Sequence, residues 1–303
     1  MLNLERLRVL RAVATTGSIV GAADTLHVTT SAVSQQIGRL EREVGQSLVE
    51  RQGRGIRLTE AGRRLADHAD KLLTHAEHVE ATMAAHRGTV AGHLTIATFA
   101  TAARGLLPVV LHDLRAHPDL TVSLSEQEPH EAIPALTRGR LDIAIVQDWH
   151  DNRLRLPDTL SRQQLTHDTF DVAMAAHHPL AARDTVTVDD LRDEAWITWP
   201  PDQICHDWLT ATLGPTHLRI AHTASEHSTQ LALVATDLGI ALIPRLGRDP
   251  APPTVRFVPL TPSPTRDIYA LWRTAAASHP AITATVDALV RHCRSELSRP
   301  TGD

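Results

Sequence analysis

The sequence predicts a chain built in two parts joined by one long helix. The N-terminal part is a winged helix-turn-helix, mainly α with a β-hairpin wing. The C-terminal part is an α/β domain of two subdomains. Three observations lead there. Residues 18–59 hold two helical patterns, a turn at Val28-Thr29 and then a hairpin with a Gly-Arg-Gly tip. From Leu65 to Met83 apolar residues recur at gaps of four and three, as in a helix that pairs along a seam. From Leu94 onward short apolar strands alternate with helical segments, the pattern of an α/β fold.

Leu4 to Ala14 reads as the first helix, with Leu4, Leu7, Leu10 and Val13 on one side and Gly17 as its stop. Ser18 to Leu26 is a short helix with a serine cap. Its small residues Gly21, Ala22 and Ala23 admit a second helix at close range. The next helix opens at Thr30 and stops at Gly45. At about 100° per residue, Val33, Ile37, Leu40 and Val44 form a narrow stripe that must face a core. Ser31, Ser34, Gln35, Gly38 and Arg42 fall opposite. Short hydrogen-bonding groups, a glycine that permits close approach and a terminal arginine suit a major groove. A plain amphipathic helix in a helical domain is the alternative.

The following residues weigh against that alternative. Leu48-Val49-Glu50-Arg51 and Ile56-Arg57-Leu58-Thr59 flank Gln52-Gly53-Arg54-Gly55, which reads as a hairpin. A small hairpin after a helix-turn-helix is a wing. Arg54 between two glycines can enter a minor groove, and Arg51 and Arg57 can reach phosphates. The alternative is a hairpin kept soluble by arginine.

At this point the chain resembles the LysR-type transcriptional regulators. Ala22-Ala23, Leu26, Ser31-Ala32-Val33-Ser34, Ile37, Leu40-Glu41, Gly45, Leu48, Arg51 and Leu58-Thr59-Glu60-Ala61-Gly62 match that family's pattern in order and spacing. Thr30-Ser31 stands where many members have Gln-Pro, and Val49 where Phe is usual. The resemblance implies a sequence-specific DNA-binding regulator, and DNA contacts at Thr30, Ser31, Ser34, Gln35, Gly38, Arg42, Arg51 and Arg54. It also implies a dimerisation helix and a dimer of dimers. RNA polymerase is a further candidate partner.

Composition sets bounds. The chain has 303 residues and 42% hydrophobic content, enough for two or three domains with real cores. No apolar run approaches the roughly 20 residues of a membrane span, and no export signal is evident in MLNLERLRVLRAV. Cys205 and Cys293 are far apart, with no CxxC. A cytoplasmic location is the expectation. Lys71 is the sole lysine, so arginine abundance reflects composition bias more than nucleic-acid binding. Residues 1–58 carry net +3 and the remainder net −8, for −5 overall. Such a modest positive head leans on dimerisation for DNA affinity.

Thr59 caps the long helix, with Glu60 in its first turn. Leu65, Ala69, Leu72, Ala76, Val79 and Met83 form its expected dimer seam; a single helix lying on its own core is the alternative. The domains expected are 1–58 for the DNA-binding head, 59–87 for this helix, 88–93 for a hinge linker and 94–303 for the regulatory domain. Within the last, subdomain I takes 94–167 and 269–303, and subdomain II takes 168–268.

The regulatory domain is expected to begin with a strand at Leu94–Thr98, a helix at Ala102–Ala116, a strand at Leu120–Ser125, a helix at Glu131–Arg138 and a strand at Leu141–Val146. A crossover near Asp168–Ala175 leads to Ala195–Trp199, helices at Asp202–Leu213 and Glu226–Leu238, and strands at Leu218–His222 and Ile240–Pro244. Ile268–Trp272 returns, Pro280–Leu297 is the terminal helix, and Pro-rich 250–264 is expected to be a surface loop. Gly139–Ile145 and Leu233–Pro244 resemble the family's regulatory-domain signatures, and the resemblance implies the architecture of periplasmic solute-binding proteins.

Two such subdomains make a cleft at the C-terminal ends of their strands, where a small-molecule effector is expected. Thr98 ends the first strand, and Thr101 opens the next helix, either as an N-cap or beside a bound carboxylate. Gln127, Glu128, Gln147, Asp148 and Trp149 are the other candidates on subdomain I; Thr198, Trp199, Ser225 and Glu226 are those on subdomain II. Four of five tryptophans fall between 149 and 208, which hints at an aromatic-lined pocket, with ordinary packing as the alternative. The spacing of His75 and His78 suits a metal, but no third ligand completes the set, so no metal or cofactor is expected. Cys205-His206 is a weak redox candidate. No Gly-x-Ser-x-Gly elbow, P-loop or GxGxxG supports an enzyme, and the winged helix speaks against a plain solute-binding protein.

Overall fold

The computed structural model describes residues 2–297 apart from 53–54, 150–152, 202, 214–217 and 249; for 204, 205, 212, 213 and 295–297 it describes the backbone only. The chain divides into two compact units, Met1–Gly88 and Thr89–Asp303.

In the first unit, α1 (Leu4–Thr16) starts at Asn3, whose side chain accepts from the Arg6 N–H, and stops at left-handed Gly17. Next come α2 (Ile19–Leu26), capped by Ser18, and α3 (Thr30–Val44), capped by Thr29 and ended by left-handed Gly45. β1 (Val49–Gln52) and β2 (Gly55–Leu58) pair antiparallel, Val49 opposite Leu58. The Glu41 carboxylate accepts from the Leu48 and Val49 N–H groups at 2.8 and 3.2 Å, which fixes this wing to α3. α4 (Glu60–Arg87) follows its Thr59 cap. A Cβ at Gly62 would be driven into the Leu48 carbonyl, so glycine is required where α4 meets the wing.

Leu7, Leu10, Val33, Ile37 and Leu40 are at most 2% exposed. Each such side chain contributes roughly 1.5–3 kcal/mol, whereas a surface pair such as Arg8–Glu5 is worth under about 1 kcal/mol. Packing, not surface charge, holds this head. The core also takes in Ala66, Ala69 and Leu73 of α4, with Leu65 against it. This corrects the expected seam: Leu65 and Ala69 face their own unit, because α1 needs a cover. Leu72, Val79 and Met83 stay 44%, 47% and 57% exposed, with Ala76 half-buried.

In the second unit, β3 (Gly92–Thr98) lies between β4 (Leu120–Glu126) and β5 (Ile143–Trp149), parallel to both. The expected single helix after β3 is two: α5 (Ala100–Gly105) and α6 (Leu107–Leu114). Pro108 in the first turn of α6 lacks an N–H to continue a helix and fits a new start. α7 (Pro129–Thr137) links β4 to β5.

β6 (Leu160–Ala175) is a single strand serving two sheets. Residues 160–169 pair with β12 (Thr265–Arg273), which pairs in turn with β5. Residues 170–175 pair with β10 (Ala241–Pro244) and β11 (Val255–Thr261). The chain therefore changes subdomain inside β6 and returns by Thr265, a few residues earlier than expected. β11 overturns most of the expected 250–264 loop: Val255, Val258 and Leu260 are buried, and of the prolines only Pro259 lies within the strand, with Pro252, Pro253, Pro262 and Pro264 outside it. Subdomain II adds a short β7 (Val186–Thr187), the parallel pair β8 (Ala195–Thr198) and β9 (Arg219–Thr223), α8 (Ile204–Leu213) and α9 (His227–Val234). α10 (Pro280–Leu297) ends the described chain. Asp237, at φ 60, holds a left-handed turn after α9, and its carboxylate lies 3.1 Å from His177 Nε2. Aspartate is one of the few non-glycine residues that tolerate this conformation.

Candidate functional site

Two surfaces carry chemistry, one in each unit. On α3 the apolar stripe is buried and Thr30, Ser31, Ser34, Gln35 and Arg42 are exposed, with Gly38 half-buried. The Ser34 hydroxyl donates to Thr30 O at 2.9 Å, and Arg42 Nε donates to Gly38 O at 3.2 Å. Both side chains are thus parked on their own helix. Arg51 is exposed on β1, and Arg57 is paired with Glu50 at 2.5 Å. Arg54 lies outside the described residues.

The cleft of the second unit is organised by a residue the sequence reasoning missed. Arg266 is the second residue of β12 and is 1% exposed. Its Nε and Nη2 donate to Asp168 Oδ2 at 2.9 and 2.6 Å, Nη2 donates to Thr101 Oγ1 at 2.7 Å, and Nη1 donates to Gln147 Oε1. Arg266 and Asp168 are direct cross-strand neighbours where the chain passes between subdomains. Burying this pair costs desolvation, which only such full hydrogen bonding offsets. Beside it, Asp171 accepts from Arg245 twice at 2.9 Å and from Arg248 at 2.7 Å.

Thr101 is no N-cap: α5 begins at Ala100 after Phe99, and the Thr101 hydroxyl serves Arg266. Gln147 and Asp148 lie within β5, not after it, and a strand sends neighbours to opposite faces. Gln147 therefore faces Arg266. Asp148 turns away, where its Oδ1 accepts from the Leu154 N–H at 2.8 Å, and it drops out of the cleft set. Gln147 Nε2 donates to Glu128 Oε2 at 3.3 Å. Burial raises the Glu128 pKa, against the lowering pull of Gln147 and Arg266. Thr98 is buried at the end of β3, and its carbonyl accepts from the Gln127 N–H at 3.0 Å.

Trp149 and Trp199 do not form an exposed pocket lining. Both belong to the subdomain II core; Trp149 stacks on Trp208 with ring centroids 5.2 Å apart. They meet the cleft group from behind: Trp149 is the cross-strand neighbour of Arg266, and Trp199 makes an edge contact with His227, centroids 5.4 Å apart. Ser225 and Glu226 are exposed; Ser225 Oγ accepts from Gln203 Nε2 at 3.2 Å, and Glu226 Oε2 lies 3.9 Å from Arg104 Nη1.

On the subdomain II wall, Thr198, His227 and Gln230 are 0%, 8% and 0% exposed. Thr198 Oγ1, His227 Nε2 and Gln230 Oε1 meet no hydrogen-bond partner among the described residues. Burial, then the charges of Arg266 and Arg104, push the His227 pKa down to about 3, so the ring is neutral. The sequence signal for Arg266 was there to read: two charged residues, Arg266 and Asp267, stand directly before the apolar run Ile268–Trp272. His227 and Gln230 left no such signal, because polar residues in a helical segment are ordinary.

Among the described residues no group of three His, Cys, Asp or Glu is placed to hold a metal. No described helix is long and apolar enough to cross a membrane. The Cys205 side chain lies outside the described residues; Cys293 is buried.

A model of the bacterial regulatory helix-turn-helix protein, lysR family, matches residues 4–63, and the LysR substrate binding domain matches residues 87–294. The HTH-type transcriptional regulator TtuA of Agrobacterium vitis is 33% identical over 264 residues, 86% of each chain. The probable HTH-type transcriptional regulator LrrA of Synechococcus elongatus is 31% identical over 294 residues, 95% of this chain and 96% of its own. Full-length OxyR from Pseudomonas aeruginosa shares the fold at a TM-score of 0.69 and 23% identity, covering 96% of this chain and 98% of that one. With a matching head, a matching cleft domain and full-length relatives, this chain belongs to the LysR family of transcriptional regulators, joining a DNA-binding helix-turn-helix to an effector-binding domain.

Proposed function

We propose that the chain acts in the cytoplasm as a dimer, assembled further into a dimer of dimers, on operator DNA. Ser31, Ser34 and Gln35 read base edges, and Gly38 lets the helix come close. Thr30, Arg42, Arg51 and Arg54 hold the backbone and the minor groove. The observation behind this is the two-faced α3, whose apolar stripe is buried while its short polar face is exposed. Leu72, Ala76, Val79 and Met83 continue the seam toward a second chain. A small molecule held between Thr98, Thr101, Gln127, Glu128 and Gln147 on one wall and Thr198, Ser225 and Glu226 on the other biases the cleft, without turnover.

The test is a footprint on the DNA upstream of the protein's own gene at two salt concentrations, with and without a low-molecular-weight extract of cells. Protection over two half-sites that weakens with salt, and a pattern changed by the extract, is the expected result. No protection at low salt in either case would overturn the DNA reading. Protection that the extract never alters would overturn the effector reading.

A further inference from the structure

The subdomain II wall bears three polar atoms without partners, and their chemistry restricts what can sit there. Thr198, at the end of β8, and Gln230, one turn into α9, are tied to the same residue. The Ala224 N–H donates to Thr198 O at 2.9 Å, and Gln230 Nε2 donates to Ala224 O at 2.8 Å. This leaves the Thr198 hydroxyl and the Gln230 carbonyl oxygen unused, and His227 lies on the same face of α9 as Gln230, three residues earlier. Glu226, at the N-cap of α9, makes no side-chain cap bond, so first-turn N–H groups stand open beside His227.

We infer that the cleft takes a small carboxylic acid bearing a hydroxyl or amino group next to its carboxylate, rather than a plain carboxylate or a neutral amide. The inference rests on the reading of this cleft as the effector site. The carboxylate would accept from the α9 first turn, Thr198 Oγ1 and His227 Nε2. Gln230 Oε1 can only accept, so it requires a donor on the ligand, which the hydroxyl or amino group supplies. Two guanidinium groups, Arg266 and Arg104, act on His227, and the first-turn N–H groups of α9 add the positive end of a helix dipole. An anion is thereby favoured over a cation.

The probes are matched pairs: 2-hydroxypropionate against propionate, and mandelate against phenylacetate. Alanine and phenylglycine are the amino counterparts, and lactamide and mandelamide the neutral ones. Trp199, in edge contact with His227, makes tryptophan fluorescence a direct reading, and thermal unfolding of the full chain is the second. The expected result is saturable binding of a substituted acid at least about tenfold tighter than its parent acid. Thr198→Val should abolish it, Gln230→Met should erase the preference for the substituted acid, and Thr229→Ala, exposed on the same helix, should keep both. The wild-type panel stands whether or not the variants fold.

Equal binding of parent and substituted acids would overturn the inference, as would amides binding as well as acids. No response to any probe would mean that water satisfies these three atoms, and would overturn it too. In each of these cases, an extract that still alters the footprint shows that only the ligand class failed. An extract without effect shows that the effector reading failed with it.

Discussion

Replacing Gly38 by alanine separates stability from DNA binding, because the two should move in opposite directions. Gly38 sits in the middle of α3, and a Cβ built there meets nothing within 4 Å. In the free protein the change removes only the entropic penalty of a helical glycine, a gain of about 0.8–1.0 kcal/mol. On DNA the same methyl stands on the face carrying Ser31, Ser34 and Gln35. It would hold the helix off the groove floor and stretch several hydrogen bonds at once. A loss of only about 1.4 kcal/mol from that stretching is tenfold in affinity. Urea unfolding of the full chain should show the variant more stable, and anisotropy titrations on operator DNA should show it binding at least about tenfold more weakly. The slope of affinity against salt should be unchanged, since no phosphate contact is removed. Equal or tighter binding by the stabilised variant would refute the assignment of this face to DNA.

Asp168→Asn should destabilise the second unit by about 3–5 kcal/mol, because it strips the carboxylate from a buried guanidinium; urea unfolding that matches wild type would show Arg266 to be satisfied elsewhere. His227 makes stability fall in acid. Its folded pKa lies below its unfolded value of 6.5, so only the unfolded chain takes up this proton as pH falls from about 6.5 toward about 3. Stability from this group is complete above about 6.5 and is lost by up to about 1.4 kcal/mol per pH unit below it. His227→Gln should flatten that slope, and an unchanged acid profile would count against the buried neutral ring. Val79→Glu with Met83→Glu, both at exposed seam positions, should shift sedimentation from dimer to monomer at micromolar protein; a dimer that persists would place the interface elsewhere.

Most of the fold was legible because it rests on local rules. The stop glycines Gly17 and Gly45, the serine and threonine caps Ser18 and Thr59, and the stripe of α3 each have a one-residue physical cause, and the structure keeps them. Errors arose where the deciding partner was distant in sequence. The α4 pattern carries two apolar faces, and only the position of α1 decides that Ala69 turns inward. Residues 250–264 look like a loop by proline content, yet 255–261 form a strand because β6 offers an edge more than seventy residues earlier. In the cleft, the expected end of β5 fell three residues early, at Val146 instead of Trp149, and that error put Asp148 and Trp149 in the wrong environment.

The two walls of the cleft differ in what they have left to give. On the subdomain I side, Thr101 and Gln147 already bond Arg266, and Gln147 also holds Glu128. A ligand bonding there exchanges one hydrogen bond for another, with little net gain. On the subdomain II side, Thr198, His227 and Gln230 offer unmade bonds, and leaving each unmade costs about 1–3 kcal/mol. The free energy of docking is therefore concentrated on one wall. A ligand confined to that wall gains the same in every degree of closure and shifts no equilibrium. To act as a switch it must also reach Arg266, Arg104 or Glu128 across the gap. Moving a two-state population from 1:99 to 99:1 takes about 5.5 kcal/mol of such differential binding. One charge-assisted bond, at about 1.5–3 kcal/mol, falls short. An effector of this cleft must then make at least two contacts that exist only when both walls meet it. The Arg266 guanidinium, held by Asp168, Thr101 and Gln147 where the chain crosses between the subdomains, is the group best placed to register the second.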